Sequence, residues 1–187
     1  MKIKVAINGF GRIGRAFFRV AYDHPEIDIV AINDLDGAEN LAYLLKYDSA
    51  YGRSNIVVEA RETGGKPALV VDTPNGKKVI SLSHQKDPAL LPWKELGVDI
   101  AIEATGIFAS FKASQAHLGA GARRVVVTAP IKDEPAPGVS GATVLVGVNE
   151  EQLKTCDISS NASCTTNAGA PLIAILDETI GIKKAIL

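Results

Sequence analysis

The sequence predicts an α/β protein built on a doubly wound, mostly parallel sheet with an antiparallel insertion. Three observations predict it. Short apolar runs at 3–7, 27–32, 98–103 and 125–127 read as strands buried on both faces. Stretches of helical periodicity separate several of them. Between the first strand and the first helix lies Gly9-Phe10-Gly11-Arg12-Ile13-Gly14.

Taken in order, the strand at 3–7 leads through that glycine stretch into a helix. Its apolar stripe is expected at Ile13, Ala16, Phe17, Val20 and Ala21. The second strand, 27–32, ends at Asn33-Asp34, with Asp34 twenty residues after Gly14. Glycines in this order, after a strand and before a helix, with an acid after the second strand, form the dinucleotide-binding fingerprint. Gly9 allows the tight turn. Gly11 lets the backbone approach a pyrophosphate at the helix N-terminus. Gly14 lets the helix pack close to the sheet. Asp34 can accept hydrogen bonds from a ribose. The first unit is therefore expected to be a Rossmann-like domain.

A short helix is predicted over 40–46, with Leu41, Leu44 and Leu45 on one face, followed by a polar, turn-rich stretch to Ser54. Runs at 56–61, 68–71 and 78–82, separated by Gly64-Gly65 and Pro74-Asn75-Gly76, read as antiparallel excursions at the edge of the sheet. Residues 88–93 read as loop, with Trp93 a packing residue. The strand at 98–103 runs into Ala104-Thr105-Gly106-Ile107-Phe108. Ser110 can cap a helix reaching about Gly119, and a strand at 125–127 ends at Thr128-Ala129-Pro130. Ligands of open α/β sheets lie beyond strand carboxyl ends, where Gly9, Asp34, Thr105 and Thr128 fall. His117, among alanines, reads as structural. Residues 131–141 are expected as loop, 143–147 as strand and 150–154 as a helical turn; Cys156 reads as inert.

Ser160-Asn161-Ala162-Ser163-Cys164-Thr165-Thr166-Asn167 is a polar loop followed by helical periodicity at Leu172, Ile175, Leu176 and Thr179, ending at Gly181. Cys164 thus falls at a helix N-terminus, where orphan N–H groups and the dipole favour a thiolate, the nucleophilic form. A lone cysteine can also be a small buried hydrophobe. Four flanking hydrogen-bonding side chains argue against an apolar site here. Pro171 is expected to kink the helix, and 182–187 has strand character.

Composition bounds the function classes. A hydrophobic content of 47% with 22% charged residues suits a globular protein, and a net charge of −1 predicts no attraction to nucleic acid or anionic membrane. No apolar run approaches the roughly 18 residues of a membrane span, and the first residues lack a signal-peptide pattern. Two cysteines make no disulfide scaffold, so a cytoplasmic setting is expected. The three histidines lack metal-ligand spacing, so no metal site is expected.

Seven ordered segments resemble the N-terminal half of phosphorylating glyceraldehyde-3-phosphate dehydrogenases. They are Asn8 to Arg15, Asn33-Asp34-Leu35, Asp87-Pro88 with Leu91-Pro92-Trp93, Glu103 to Gly106 with Phe108, Thr128-Ala129-Pro130, Val148-Asn149-Glu150 and the Cys164 octet. The resemblance implies NAD as cofactor and Cys164 as the nucleophile that attacks an aldehyde to form a thiohemiacetal. Hydride then passes to NAD, and inorganic phosphate releases the acyl group. Glyceraldehyde 3-phosphate is the implied substrate and a homotetramer the implied assembly.

By the same resemblance Ser163 and Thr165 position substrate, Arg12 and Ile13 lie under the pyrophosphate, and Asp34 with Leu35 meets the ribose. The Lys86 backbone meets the adenine, Thr105, Gly106 and Phe108 flank the adenosine, and Thr128 lies near the nicotinamide. Residues 1–163 are read as the NAD-binding domain and 164–187 as the start of a catalytic domain. Ala168 stands where the family often has a second cysteine. The family's histidine base lies beyond the matching region, so residues 1–187 alone are expected to bind NAD without turnover. Erythrose-4-phosphate dehydrogenases share these motifs, and a non-catalytic NAD-binding module is the alternative from another class.

Overall fold

The computed structural model describes residues 2–186. Its chain runs β1 (Ile3–Asn8), α1 (Arg12–Ala21), β2 (Ile27–Asn33), α2 (Ala38–Lys46), a two-stranded hairpin of β3 (Tyr47–Asp48) and β4 (Gly52–Arg53), then β5 (Val58–Thr63), β6 (Lys66–Thr73) and β7 (Gly76–Ser83). After these come α3 (Trp93–Leu96), β8 (Ile100–Glu103), α4 (Phe111–Gly119), β9 (Arg124–Val127), β10 (Gly141–Thr143), β11 (Ile158–Ser160) and α5 (Cys164–Ile180).

The main sheet has nine described strands in the order β10-β11-β9-β8-β1-β2-β7-β6-β5. All neighbours from β10 to β7 pair parallel, whereas β7-β6-β5 is an antiparallel meander added at one edge. From β1 the chain winds out to β2 and the meander, then returns to β8 on the other side of β1. The gap between β1 and β8 is therefore the topological switch point, where open α/β sheets bind ligands. The parallel Rossmann-like sheet and its antiparallel insertion are as the sequence predicts.

Both faces of β1 are covered because successive side chains point to opposite faces. Val5 and Ile7 pack with Phe18 of α1 and with Leu41 and Leu45 of α2. Ala6 packs on the other face with Trp93, Ala31 and Ala101. A third cluster seats α4 on the sheet through Phe111, Val125, Val127 and Ile158. Ser110 caps α4 as expected, its Oγ accepting from the Ala113 N–H at 3.0 Å. None of the described helices is long and apolar enough to cross a membrane.

Four local expectations are corrected. The buried face of α1 is Gly14, Arg15, Phe18 and Ala21, while Ile13 and Val20 are 56% and 79% exposed. The helix touches the sheet at Gly14, which has no side chain to count in an apolar pattern. Residues 88–93 are not plain loop. Pro88–Leu90 is a 3-10 turn capped by Asp87, and Trp93 opens α3, which Gly97 closes in the left-handed conformation (φ 65°).

The strand expected at 143–147 lies at 141–143 instead. The Asn149 side chain accepts from the Leu145 N–H (2.8 Å) and donates to the Thr143 carbonyl (2.9 Å), occupying groups a longer strand would pair. Residues 182–186 are not strand, since they pair with no described strand; Leu187 lies outside the described residues. Helix α5 runs on through Pro171, and none of its residues is buried.

Candidate active site

Sequence places turns at the carboxyl ends of β1, β2 and β8, and the fold gathers them around one cavity of about 450 Å³ at the switch point. Of the residues expected to hold a dinucleotide, Gly9, Gly11, Asp34, Leu35, Lys86, Thr105 and Phe108 line it. Arg12 and Ile13 are exposed in the first turn of α1, next to the cavity rather than on its wall. Phe10 contributes backbone only: its ring is 1% exposed and packs edge-on against Phe18, centroids 5.5 Å apart. Gly14 acts from below, against Gly9. Gly106, with φ 74°, turns the chain between two lining residues, and Thr128 lies off the cavity.

The glycine loop fits a dinucleotide. Gly9 has φ 90°, and a Cβ there would stand 2.7 Å from the Thr105 nitrogen. Gly11 heads α1 with no side-chain cap, so the orphan N–H groups of the first turn are open to an anion. A Cβ on Gly11 would meet nothing within 4 Å, which leaves the loop open on the ligand side. Asp34 Oδ2 accepts from the Phe10 N–H at 2.6 Å and Oδ1 from the Asp36 N–H at 3.1 Å. A carboxylate has about four acceptor positions, so capacity remains for ribose hydroxyls.

Five lining residues were not expected: Asn8, Asn33, Gln85, Ala104 and Ile107. The available signal was a polar residue closing an apolar strand, as Asn8 and Asn33 do. Both belong to a buried polar row beneath the cavity. Asn33 Oδ1 accepts from Ser83 Oγ (2.9 Å) and the Gln85 N–H (2.8 Å), and its Nδ2 donates to Asn8 Oδ1 (2.7 Å). Asn8 Nδ2 donates to Glu103 Oε2 at 2.6 Å.

Trp93 Nε1 can only donate, so His117 Nδ1 accepts from it (3.0 Å) and His117 Nε2 donates to Glu103 Oε2 (2.9 Å). His117 is therefore structural, as its sequence context suggests. Burial alone would push the Glu103 carboxyl up. Hydrogen bonds from His117, Thr105 and Asn8 outweigh it and hold Glu103 below the ordinary carboxylate range. Its Oε1 accepts from both the N–H and the hydroxyl of Thr105, which fixes the cavity wall.

Cys164 is the first residue of α5 and is exposed. Ser163 is the N-cap, its Oγ accepting from the Thr166 N–H at 3.1 Å and lying 2.9 Å from Thr165 Oγ1. The loop is fastened to the carboxyl edge of the sheet. The Asn161 N–H donates to the Val127 carbonyl (2.9 Å), and Ser160 Oγ donates to the Ala129 carbonyl (2.8 Å). The next residue, Ala162, is left-handed at φ 58°, a conformation that costs a non-glycine residue about 1–2 kcal/mol.

Thr128 ties this edge to the cavity strand, its N–H donating to the Glu103 carbonyl at 3.0 Å. Cys164 therefore lies on the same sheet edge as the cavity but does not line it. Cys156, by contrast, is 4% exposed, and burial pushes its thiol up. Iodoacetamide is expected to label Cys164 at least about tenfold faster than Cys156. Peptide mapping after brief treatment checks this; preferential labelling of Cys156 would reverse the assignment.

Comparison with known proteins agrees with this geometry. Residues 3–111 match the family model described as "Glyceraldehyde 3-phosphate dehydrogenase, NAD binding domain". The whole chain is 47% identical to a glyceraldehyde-3-phosphate dehydrogenase of Shimwellia blattae and 47% identical to glyceraldehyde-3-phosphate dehydrogenase 2 of Bacillus subtilis. Over 99% of its length it is 48% identical to the cytosolic enzyme of Leishmania mexicana. In each case it spans about half, 52%, of the relative's length. With the glycine cradle, the acid just after β2 and the family model covering all of β1 to Phe111, the chain belongs to the glyceraldehyde 3-phosphate dehydrogenase family and carries its NAD-binding domain.

Proposed function

We propose that the protein is an NAD-dependent, phosphorylating glyceraldehyde-3-phosphate dehydrogenase of glycolysis and gluconeogenesis. The observation that carries this is the pairing of two features on one sheet edge: the glycine-cradled cavity, and the exposed Cys164 at the first position of a 17-residue helix. In this reading residues 1–163 hold the cofactor and α5 begins the catalytic unit. The working enzyme is a cytoplasmic homotetramer.

The Cys164 thiolate attacks the aldehyde carbon, forming a thiohemiacetal. The Cys164 N–H, orphaned at the first helical position, is available to the developing oxyanion. Ser163 and Thr165 orient the substrate beside it. The chemistry that NAD supplies when bound is acceptance of a hydride. Inorganic phosphate then takes the acyl group from the Cys164 sulfur and frees the thiolate. Turnover needs a proton acceptor, and none of the three histidines bonds to the Cys164 loop. His117 serves Glu103 and Trp93, His84 Nδ1 meets the Asp34 carbonyl (2.7 Å), and His24 accepts from the Glu26 N–H. In this reading the base is not among these histidines, and residues 1–187 alone bind NAD without turnover.

The test is NADH formation, with phosphate and either glyceraldehyde 3-phosphate or erythrose 4-phosphate, by residues 1–187 extended through the rest of the catalytic unit. Faster turnover of the former is expected; turnover of neither would leave only a cofactor-binding module. NAD is also expected to bind better than NADP. A like-charge pair about 4 Å apart costs about 1 kcal/mol in water and about 4 at an effective dielectric of 20. A phosphate on the ribose near Asp34 therefore loses from about fivefold to several hundredfold in affinity, and Leu35 offers it no cation. Calorimetry checks this. Equal affinities for the two cofactors would contradict it, and Asp34→Ala should narrow the gap.

A further inference from the structure

We propose that Arg15 is a positioning residue of the dinucleotide site, acting through the Phe10 carbonyl to aim the Gly11 N–H at the ligand's diphosphate. The proposal rests on the dinucleotide reading of the cavity. Arg15 belongs to the buried face of α1 and is 8% exposed. One guanidinium nitrogen donates to the Phe10 carbonyl at 2.8 Å, and another stands 3.9 Å from Asp48 Oδ2. Asp48 is itself fixed, its Oδ1 accepting from the Ala50 and Tyr51 N–H groups at 2.8 and 2.9 Å. The remaining guanidinium nitrogen, Nε, is buried without a partner. A guanidinium held at that cost is here spent on one backbone oxygen of the glycine loop.

Peptide planarity explains why that oxygen matters. The Phe10 carbonyl and the Gly11 N–H belong to one rigid trans unit and point in opposite directions. Drawing the carbonyl down toward Arg15 turns the Gly11 N–H away from the core, toward the open side of the loop, where a Cβ on Gly11 would meet nothing. The preceding peptide is held as well, since the Phe10 N–H donates to Asp34 Oδ2 at 2.6 Å. Asp34 and Arg15 thus fix the two backbone groups of Phe10 from opposite sides. Asp34 also faces the ligand; Arg15 does not line the cavity and acts only through the loop.

A residue that aims the diphosphate donors should matter to ligands that carry a diphosphate and not to those that lack one. Equilibrium dialysis of ADP-ribose and of adenosine against the protein and its Arg15→Met variant, which keeps the apolar stem, separates the cases. Arg15→Met is expected to lower ADP-ribose affinity about tenfold or more and to leave adenosine within about twofold. Arg15→Lys, which keeps one donor, should fall between and serves where the methionine variant does not fold. An equal loss for both ligands would make Arg15 merely structural, and no loss for either would remove its role; both overturn the proposal. Failure of the unaltered protein to bind ADP-ribose would overturn the dinucleotide reading itself.

Discussion

In the extended enzyme proposed above, Cys164→Ala is expected to lower NADH formation by about four orders of magnitude or more while leaving NAD affinity unchanged. The size follows from the absence of a substitute. Ser163 Oγ is taken up in capping α5 and in contacts with Thr165 and Thr166, and Cys156 is buried elsewhere with its thiol pushed up. The unchanged affinity follows from Cys164 standing outside the cofactor cavity. Steady-state rates in the protein with the aldehyde and phosphate, and calorimetry with NAD, check both halves. Residual turnover within tenfold of the unaltered protein would mean that another group attacks the substrate.

Gly14→Ala is expected to destabilise the protein by about 3 kcal/mol and to weaken NAD binding by at least about a hundredfold. A Cβ on Gly14 would stand 2.1 Å from the Gly9 carbonyl oxygen and 3.2 Å from Ile7 Cγ2. The loop has little room to yield, because Gly9 is itself wedged against the Thr105 backbone at φ 90°. Helix α1 must therefore lift from the sheet, carrying its N-terminal N–H groups away from the cavity. Gly11→Ala is the contrasting case. Its φ is an ordinary −68° and nothing in the protein lies within 4 Å of the added methyl. Stability should change by less than about 1 kcal/mol, yet NAD affinity should fall, because the methyl points where the ligand must approach. Thermal unfolding and calorimetry on the two variants distinguish contact inside the fold from contact with the ligand. Comparable destabilisation by both would contradict this division.

Much of the site was legible because it is local. The turn at Gly9, the close approach at Gly14, the acid closing β2, the Ser110 cap and the position of Cys164 at the head of a helix all depend on residues within a few positions of one another or on the spacing of one βαβ unit. Phe10 and Thr128 were legible only as positions. Whether the side chain, the backbone or neither reaches the cavity depends on packing, and Phe10 turned out to give its ring to the core.

The sequence by itself determined the alternation of strands and helices, the parallel sheet with its antiparallel edge, the dinucleotide loop and the cysteine's helical position. These follow from periodicity, capping and backbone freedom, which act over a few residues. Tertiary structure alone decided the rest. Helix α1 meets the sheet at Gly14, where there is no side chain, so an apolar pattern points elsewhere. Strand β10 stops at Thr143 because a side chain six residues on takes that residue's carbonyl. Asn8, Glu103, His117 and Trp93 form one buried row although Asn8 and Glu103 lie 95 residues apart. Only strand order brings them together, and burial then requires each donor to find an acceptor, a condition no local stretch of sequence records.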